Sequence, residues 1–295
     1  INGDGVLNHQ DCQGWGLVGN PAIDPFYMYM GGSSMATPIT AGVVAIIRQY
    51  YRNIVGITPS GALIKATLLN GGVDIGLGFG ANGVNEQGWG RVNFANSIAP
   101  CGFVTTAAGS KVVSKCFQFE NSTKLDTTNK EFSKIVRISK DVQLDATLVW
   151  TDPPQTVAIG GGGSGSIQND LDLKAIAPDG TKYNGNIFNA GTDGSTANPG
   201  AVKDNINPVE RIRVKAPTDG FYNITVIGAS FAATGPQKQN FALVISGIRG
   251  VDSSNTDGFL DYNFSVGEKV FATAVGLPNS TDVDIYAIEH TGFTF

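Results

Sequence analysis

Tyr27 to Ile47 reads YMYMGGSSMATPITAGVVAII, with two glycines, two serines and a methionine directly ahead of an apolar run. A serine becomes an acyl-transfer nucleophile when its hydroxyl is exposed and fixed. It also needs donors waiting where the substrate carbonyl oxygen gathers charge. The start of a helix meets both needs, through free backbone N–H groups and the positive end of the helix dipole. Gly31 and Gly32 allow a tight backbone and close approach by an extended substrate. Pro38 lies close to the helix start, where its missing N–H removes at most about one internal hydrogen bond. The plainer reading is that Ser33 or Ser34 only caps the helix.

A second cluster with chemical potential is QNDLDLKAIAPDG. It sets Asp170 and Asp172 two residues apart, on one face if the segment is a strand. Asp179, Asn205 and Glu210 are oxygen donors that folding can bring beside them. Hard oxygen ligands of this kind suit calcium. Against that stands the ordinary role of such carboxylates, capping turns and facing water. GGGGSGS, Gly160 to Ser166, lacks a following Gly-Lys-Ser/Thr and reads as a flexible loop, not a phosphate cradle. The histidines are His9 and His290, and neither sits in a sequence that marks it as a general base.

These groups need elements to hold them. From about Thr37 to Arg52 the residues are apolar almost all round, which predicts a helix buried inside an α/β layer structure. A second helix has Thr58 as N-cap, Pro59 in the first turn and Gly71 at its end. Leu63, Ile64, Leu68 and Leu69 form its apolar stripe. QGWGRVNFANSIA predicts a tight turn, a short strand and a last short helix.

After Pro100 the texture changes. FSKIVRIS, DVQLDATLVW, VERIRVKA, FYNITVIGA and NFALVISGI alternate with period two, and turns such as Pro178–Gly180 and Thr218–Gly220 separate them. Short alternating strands of this kind predict an antiparallel sandwich. VDSSNTDG, Val251 to Gly258, reads as a polar linker ahead of a further β module with too few strands to close.

Composition narrows the partners. Only 15% of the 295 residues are charged, the net charge is −5, and glycine numbers 39. That suits a loop-rich, β-containing secreted protein and offers no basic face for nucleic acid. The longest apolar run, Ile39 to Ile47, falls well short of the roughly 18 residues that span a bilayer. The chain starts at Ile1 with no signal-peptide pattern, as expected of a processed chain or a segment of a longer one. Sequons at Asn121, Asn223, Asn263 and Asn279 favour an extracytoplasmic, secreted or cell-surface location. Cys12, Cys101 and Cys116 leave one thiol over. A Cys101–Cys116 pair and three reduced thiols are both open.

GGSSMATPITAG resembles the nucleophile motif of subtilisin-like serine proteases, Gly-Thr-Ser-Met-Ala-x-Pro followed by a buried helix. ITPSGALIKATLLNGGVDIGLG and NEQGWGRVNF resemble the closing part of that catalytic domain. LVWTDPP, NDLDLKAIAPDGTKYNGN, NINPVERIRV and GFYNITVIG resemble the β-sandwich appended to the oxidation-resistant alkaline branch, likened to the P domain of kexin-type proteases. The resemblance spans roughly residues 27–248, with the motifs in order.

It implies an α/β C-terminal portion of a subtilisin-like catalytic domain over residues 1–102. A jelly-roll β-sandwich follows over 103–250, then a linker and truncated β module over 251–295. It implies Ser34 as nucleophile, with its backbone N–H as half of the oxyanion hole, and Gly32, Ser33 and Met35 as active-site neighbours. Ser33 stands where the family usually has threonine, and a sulfoxide on Met35 would crowd the site. Calcium, bound at Asp170 and Asp172, is the implied structural ion, with no organic cofactor.

The sequence departs from the family in one respect. The family's aspartate, its His-Gly-Thr-like histidine and its oxyanion asparagine precede the serine, and LNHQDC around His9 does not match. The resemblance therefore implies partners in the upstream part of the same catalytic domain, protein or peptide substrates for the intact parent, and an inactive chain when isolated. A non-catalytic scaffold of an extracellular assembly is the alternative reading. A carbohydrate-binding sandwich rests on fold analogy alone.

Overall fold

The computed structural model describes residues 32–80, 83–98, 119–154, 167–232 and 237–248 with their side chains. It also describes the backbone of residues 16–17, 28–29, 102–105, 111–114, 116–118, 251–254 and 271–274. The elements run β1 (Gly16–Leu17), β2 (Met28–Tyr29), α1 (Ser33–Tyr50), a π-helical turn (Tyr51–Val55), α2 (Gly61–Asn70), α3 (Gly83–Gln87) and α4 (Phe94–Ser97). Strands follow: β3 (Gly102–Thr105), β4 (Lys111–Ser114), β5 (Cys116–Glu120), β6 (Lys124–Asp126), β7 (Glu131–Ile138), β8 (Gln143–Trp150) and β9 (Asp170–Ile176). The last are β10 (Lys182–Asn184), β11 (Val209–Lys215), β12 (Gly220–Ser230), β13 (Lys238–Ile248), β14 (Val251–Ser254) and β15 (Phe271–Ala274).

The alternating segments form two antiparallel sheets, in the orders β10-β9-β12-β7 and β11-β8-β13-β5, with β6 paired onto the start of β13. Period two turns one side of each strand inward. Leu171, Leu173, Ala175, Tyr222, Ile224 and Val226 of the first sheet meet Leu144, Leu148, Trp150, Ile212, Leu243 and Ile245 of the second in one core. The second sheet is buried on its other side as well. Val149, Val209, Ala242 and Val244 form a second core with Ile47, Tyr51, Leu63 and Ala66. The architecture is thus helices on sheet on sheet.

A polar seam runs through the helix–sheet layer. Arg211 is fully buried. Its Nη2 donates to the carbonyls of Asn70 (3.1 Å) and Gly72 (3.3 Å) and to Asp145 Oδ1 (3.1 Å). These carbonyls belong to the C-terminal end of α2, where the last groups of a helix have no partner of their own. The Arg211 guanidinium also lies 5.3 Å from the Phe79 ring centroid. Asn70 adds side-chain bonds: Nδ2 donates to Ser246 Oγ (2.9 Å), and Oδ1 accepts from Thr147 Oγ1 (3.0 Å).

Several expectations are corrected. α1 begins at Ser33, not near Thr37, and gives way to the π-helical turn at Tyr51. It is not enclosed: Ile47 alone is buried along it, while Ile39 is 67% and Ile46 48% exposed. Its Val43–Ile47–Tyr50 stripe meets the second core. The N-cap of α2 is Ser60, whose Oγ accepts from the Leu63 N–H, and not Thr58. The strand expected in QGWGRVNF is a single bridge, Val73 to Arg91. Val251–Ser254, read as linker, pairs as a strand with Phe271–Ala274. The glycine run 160–166 and residues Cys12, Cys101, Asn263 and Asn279 lie outside the described residues, as does the Cys116 side chain.

Removing Arg211 would leave the Asn70 carbonyl without this donor and Asp145 with only the longer Arg213 pair, at 3.6 Å. Arg211→Ala is expected to lower the unfolding free energy by about 3–5 kcal/mol. Urea denaturation followed by intrinsic fluorescence measures it, and a change below about 1 kcal/mol would deny the seam its structural weight.

Candidate functional site

Gly32 caps α1 from φ 122°, a backbone region that side chains avoid. Its carbonyl accepts from the N–H groups of Met35 and Ala36, each at 3.1 Å. No side chain caps the helix. The capping role weighed for Ser33 or Ser34 is therefore not the one they play: both lie inside the first turn, and both are exposed. The Ser33 and Ser34 N–H groups, ahead of those of Met35 and Ala36, have no acceptor of their own within the helix. Thr37 Oγ1 donates to the Ser33 carbonyl at 2.7 Å. Pro38, inside the helix, cannot donate to the Ser34 carbonyl. Met35 is half-buried. Gly31, His9 and His290 lie outside the described residues.

The acidic cluster forms at the rim where the two sheets meet. Asp172 on β9 is buried, and its Oδ2 accepts from the Lys203 ammonium. Glu210 on β11 is buried, and its Oε2 accepts from the Leu173 N–H just where β10 stops pairing with β9. A Cβ on Gly185 would lie 2.2 Å from that oxygen, so glycine is required there. Asp172, Lys174, Asn184, Lys203 and Glu210 line a cavity of about 20 Å³, room for one water-sized particle. The Oδ1 atoms of Asp170 and Asp172 are buried without a hydrogen-bond partner.

Burial, then the Asp172 charge, push Asp170 up to about 6, with Lys203 pulling the other way and Asp204 adding to the rise. Burial pushes Glu210 well above the usual carboxylate range; the Leu173 N–H opposes this, while Asp172, Asp204 and Asp170 add to it.

Sequence reasoning expected Asp179 and Asn205 beside this pair. Asp179 instead accepts from the Thr181 N–H in the β9–β10 turn. Asn205 is exposed, and its neighbour Asp204 is the residue whose charge reaches Asp170 and Glu210. Lys203 was missed as well; an adjacent Lys-Asp pair in an irregular loop carries no period that would single it out. Among the described residues no three His, Cys, Asp or Glu side chains are arranged to hold a metal ion. Lys203 supplies the positive charge at Asp172. Nor is any described helix long and apolar enough to cross a membrane.

Ser34 is thus an exposed serine in a first turn that no side chain caps, close behind a glycine of positive φ. Residues 9–90 match the model of the Subtilase family. Two Dictyostelium discoideum proteins, named Serine protease/ABC transporter B family protein tagA and tagB, are similar to this chain at 28% identity over 232 residues and 26% over 261. The matches cover 73% and 72% of this chain but 12% and 13% of those relatives. Residues 9–90 are thus similar to the Subtilase family over less than half of the chain. Among solved structures, the surface-associated copper-binding protein CorA of Methylomicrobium album BG8 is similar at 10% identity and a TM-score of 0.24. That match covers 46% of this chain and 93% of CorA, and a likeness so slight carries no argument.

Asp170 ionises near pH 4 in the unfolded chain and about 6 in the folded one. Between those values the folded state holds more protons, so this group makes stability fall as pH rises, with the full penalty above about 6. Asp170→Asn is expected to match the wild-type melting temperature at pH 4 and exceed it at pH 7. Thermal scans at both pH values check this, and equal differences at the two would refute it.

Proposed function

We propose that this chain is the C-terminal portion of a secreted subtilisin-like serine endopeptidase and that it supplies the nucleophile, Ser34. The observation that carries the reading is an exposed Ser34 in an uncapped helix turn inside the segment that matches the Subtilase family. In this reading Ser34 Oγ attacks the substrate's peptide carbonyl and hands its proton to a histidine. The Ser34 N–H and an asparagine amide hold the developing oxyanion. The histidine then protonates the leaving amine as the C–N bond breaks. Water later releases the acyl group and restores the serine proton. The histidine, its orienting aspartate and the asparagine come from upstream sequence of the parent. Gly32, Ser33 and Met35 shape the turn around the nucleophile.

A labelled fluorophosphonate on the parent protein with its upstream sequence is expected to modify Ser34, and Ser34→Ala to abolish both labelling and peptide turnover. Residues 1–295 alone are expected to show no peptide-ester turnover. An unlabelled Ser34 in the intact parent would overturn the assignment.

We also propose that calcium binds at Asp170 and Asp172. Their buried, unpartnered oxygens support it, and Lys203 competes with it. Calcium added to chelator-treated protein at pH 7 is expected to raise the melting temperature, and to raise it more in Lys203→Met. A flat response in both proteins would end this part of the reading.

A further inference from the structure

Strand β12 contains Phe221-Tyr222-Asn223-Ile224-Thr225, an N-glycosylation sequon with an aromatic residue two positions ahead of its asparagine. Tyr222, Ile224 and Val226 point into the sandwich, each fully buried. Phe221, Asn223 and Thr225 therefore share the outer face of the four-stranded sheet. On that face Asn223 stands between Ile135 of β7 and Ile176 of β9. Phe221 is 63% and Ile135 68% exposed, an unusual pair of large apolar groups in the body of a sheet. Asn223 is half-buried, and its Oδ1 is buried without a hydrogen-bond partner. Thr225 Oγ1 lies 3.0 Å from Ser133 Oγ on the same face.

The same five-residue pattern occurs once more among the described residues, at Phe119-Glu120-Asn121-Ser122-Thr123. There the surroundings differ. The Phe119 ring lies edge-on to Tyr51 at 5.2 Å within the helix–sheet core. Asn121 Oδ1 accepts from Ser60 Oγ, the hydroxyl that caps α2. That sequon's aromatic ring and amide oxygen are already used by the fold. At Asn223 one side of the ring carries the Arg137 guanidinium, 5.6 Å from its centroid, the ring is otherwise exposed, and the amide oxygen is shut in.

We propose that Asn223 carries an N-linked glycan whose first sugar stacks on the Phe221 ring and covers the apolar patch that Phe221 makes with Ile135 and Ile176. An aromatic ring offers a flat apolar face of the size of a sugar ring, and stacking removes both from water. The exposed apolar groups are then the glycan's seat, not a docking surface for another protein. In the transfer step, Asn223 Nδ2 bonds to the anomeric carbon of a lipid-pyrophosphate-linked oligosaccharide. The anomeric C–O bond breaks, the lipid pyrophosphate leaves with the electron pair, and the nitrogen gives up one proton. The proposal rests on the secreted reading above, because that donor is met only in a secretory compartment.

The test expresses the full 295-residue chain behind a cleavable secretory leader in a eukaryotic host. The leader supplies entry, so the outcome is separate from whether the native parent is secreted. Enzymatic deglycosylation in heavy-oxygen water, followed by peptide mass mapping, marks each used asparagine. Asn223 is expected to be occupied, and Asn223→Gln and Thr225→Ala each to lose that mark. The glycan is expected to raise the melting temperature over Asn223→Gln by about 2 °C or more, and Phe221→Ala to erase the gain. An unmarked Asn223, or a Phe221→Ala effect of equal size with and without the glycan, would overturn the proposal.

Discussion

The helical layer is held to the sandwich by a buried cation at the end of a helix. Arg211 reaches from β11 to two carbonyls at the close of α2, to Asp145 on the neighbouring strand, and over the Phe79 ring. All three hydrogen bonds leave one nitrogen, Nη2, while Nε and Nη1 are buried without a hydrogen-bond partner. Burial works against the charge, and Asp145 restores part of it. Arg213 extends the contact with a bond from Nη1 to the Gly72 carbonyl and an ion pair to Asp193. With the end of α2 fixed, Leu63 and Ala66 settle over Val149 and Val244, and the C-terminal end of α1 is fixed through Ile47 and Tyr51.

Much of this fold was legible in the sequence, and its limits have physical causes. In VERIRVKA the alternation sends Ile212 and Val214 inward, as observed. Period two cannot say whether the other side meets water or a further layer, and Arg211 looked like any surface charge until α2 lay across it. In the ITPSG stretch Thr58 and Ser60 are both good caps; only the direction of the chain, with Ser60 Oγ facing the Leu63 N–H, selects one. The acidic pair on β9 could be read because both residues lie on one strand face. Asp204 and Lys203 could not, because an irregular loop brings them there.

The rim cluster shows how a strand end is completed without a strand. Where β10 stops, the Leu173 N–H would be left without a partner, and Glu210 from the opposite sheet accepts it. The Gly185 N–H takes the Leu173 carbonyl at 2.8 Å, so both backbone groups are satisfied. The consequence is a buried carboxylate beside Asp170, Asp172 and Asp204, with Lys203 the nearby cation at Asp172. Burial first, and then repulsion from the neighbouring carboxylates, raises the proton affinity of Asp170 and Glu210. The buried carboxylate that closes the ladder therefore also makes the rim sensitive to protons.

The position of Ser34 depends on the far end of α1. From Ile47, the buried anchor, to Ser34 is 13 residues, or about 20 Å of helix at 1.5 Å per residue. A tilt of about 3° at the anchor would then move the serine hydroxyl by roughly 1 Å, enough to cost about a hundredfold in rate. Val43 rests against the second core on one side of the intervening turns, while Ile39 and Ile46 present apolar surface to water. A second layer on Ile39 and Ile46 would bury that surface and remove the lever arm at the same time. For a nucleophile carried on such a helix, covering those two side chains is a condition of the chemistry and not only of stability. In the proposed reading, the sequence that supplies the base would then also serve to hold the serine still.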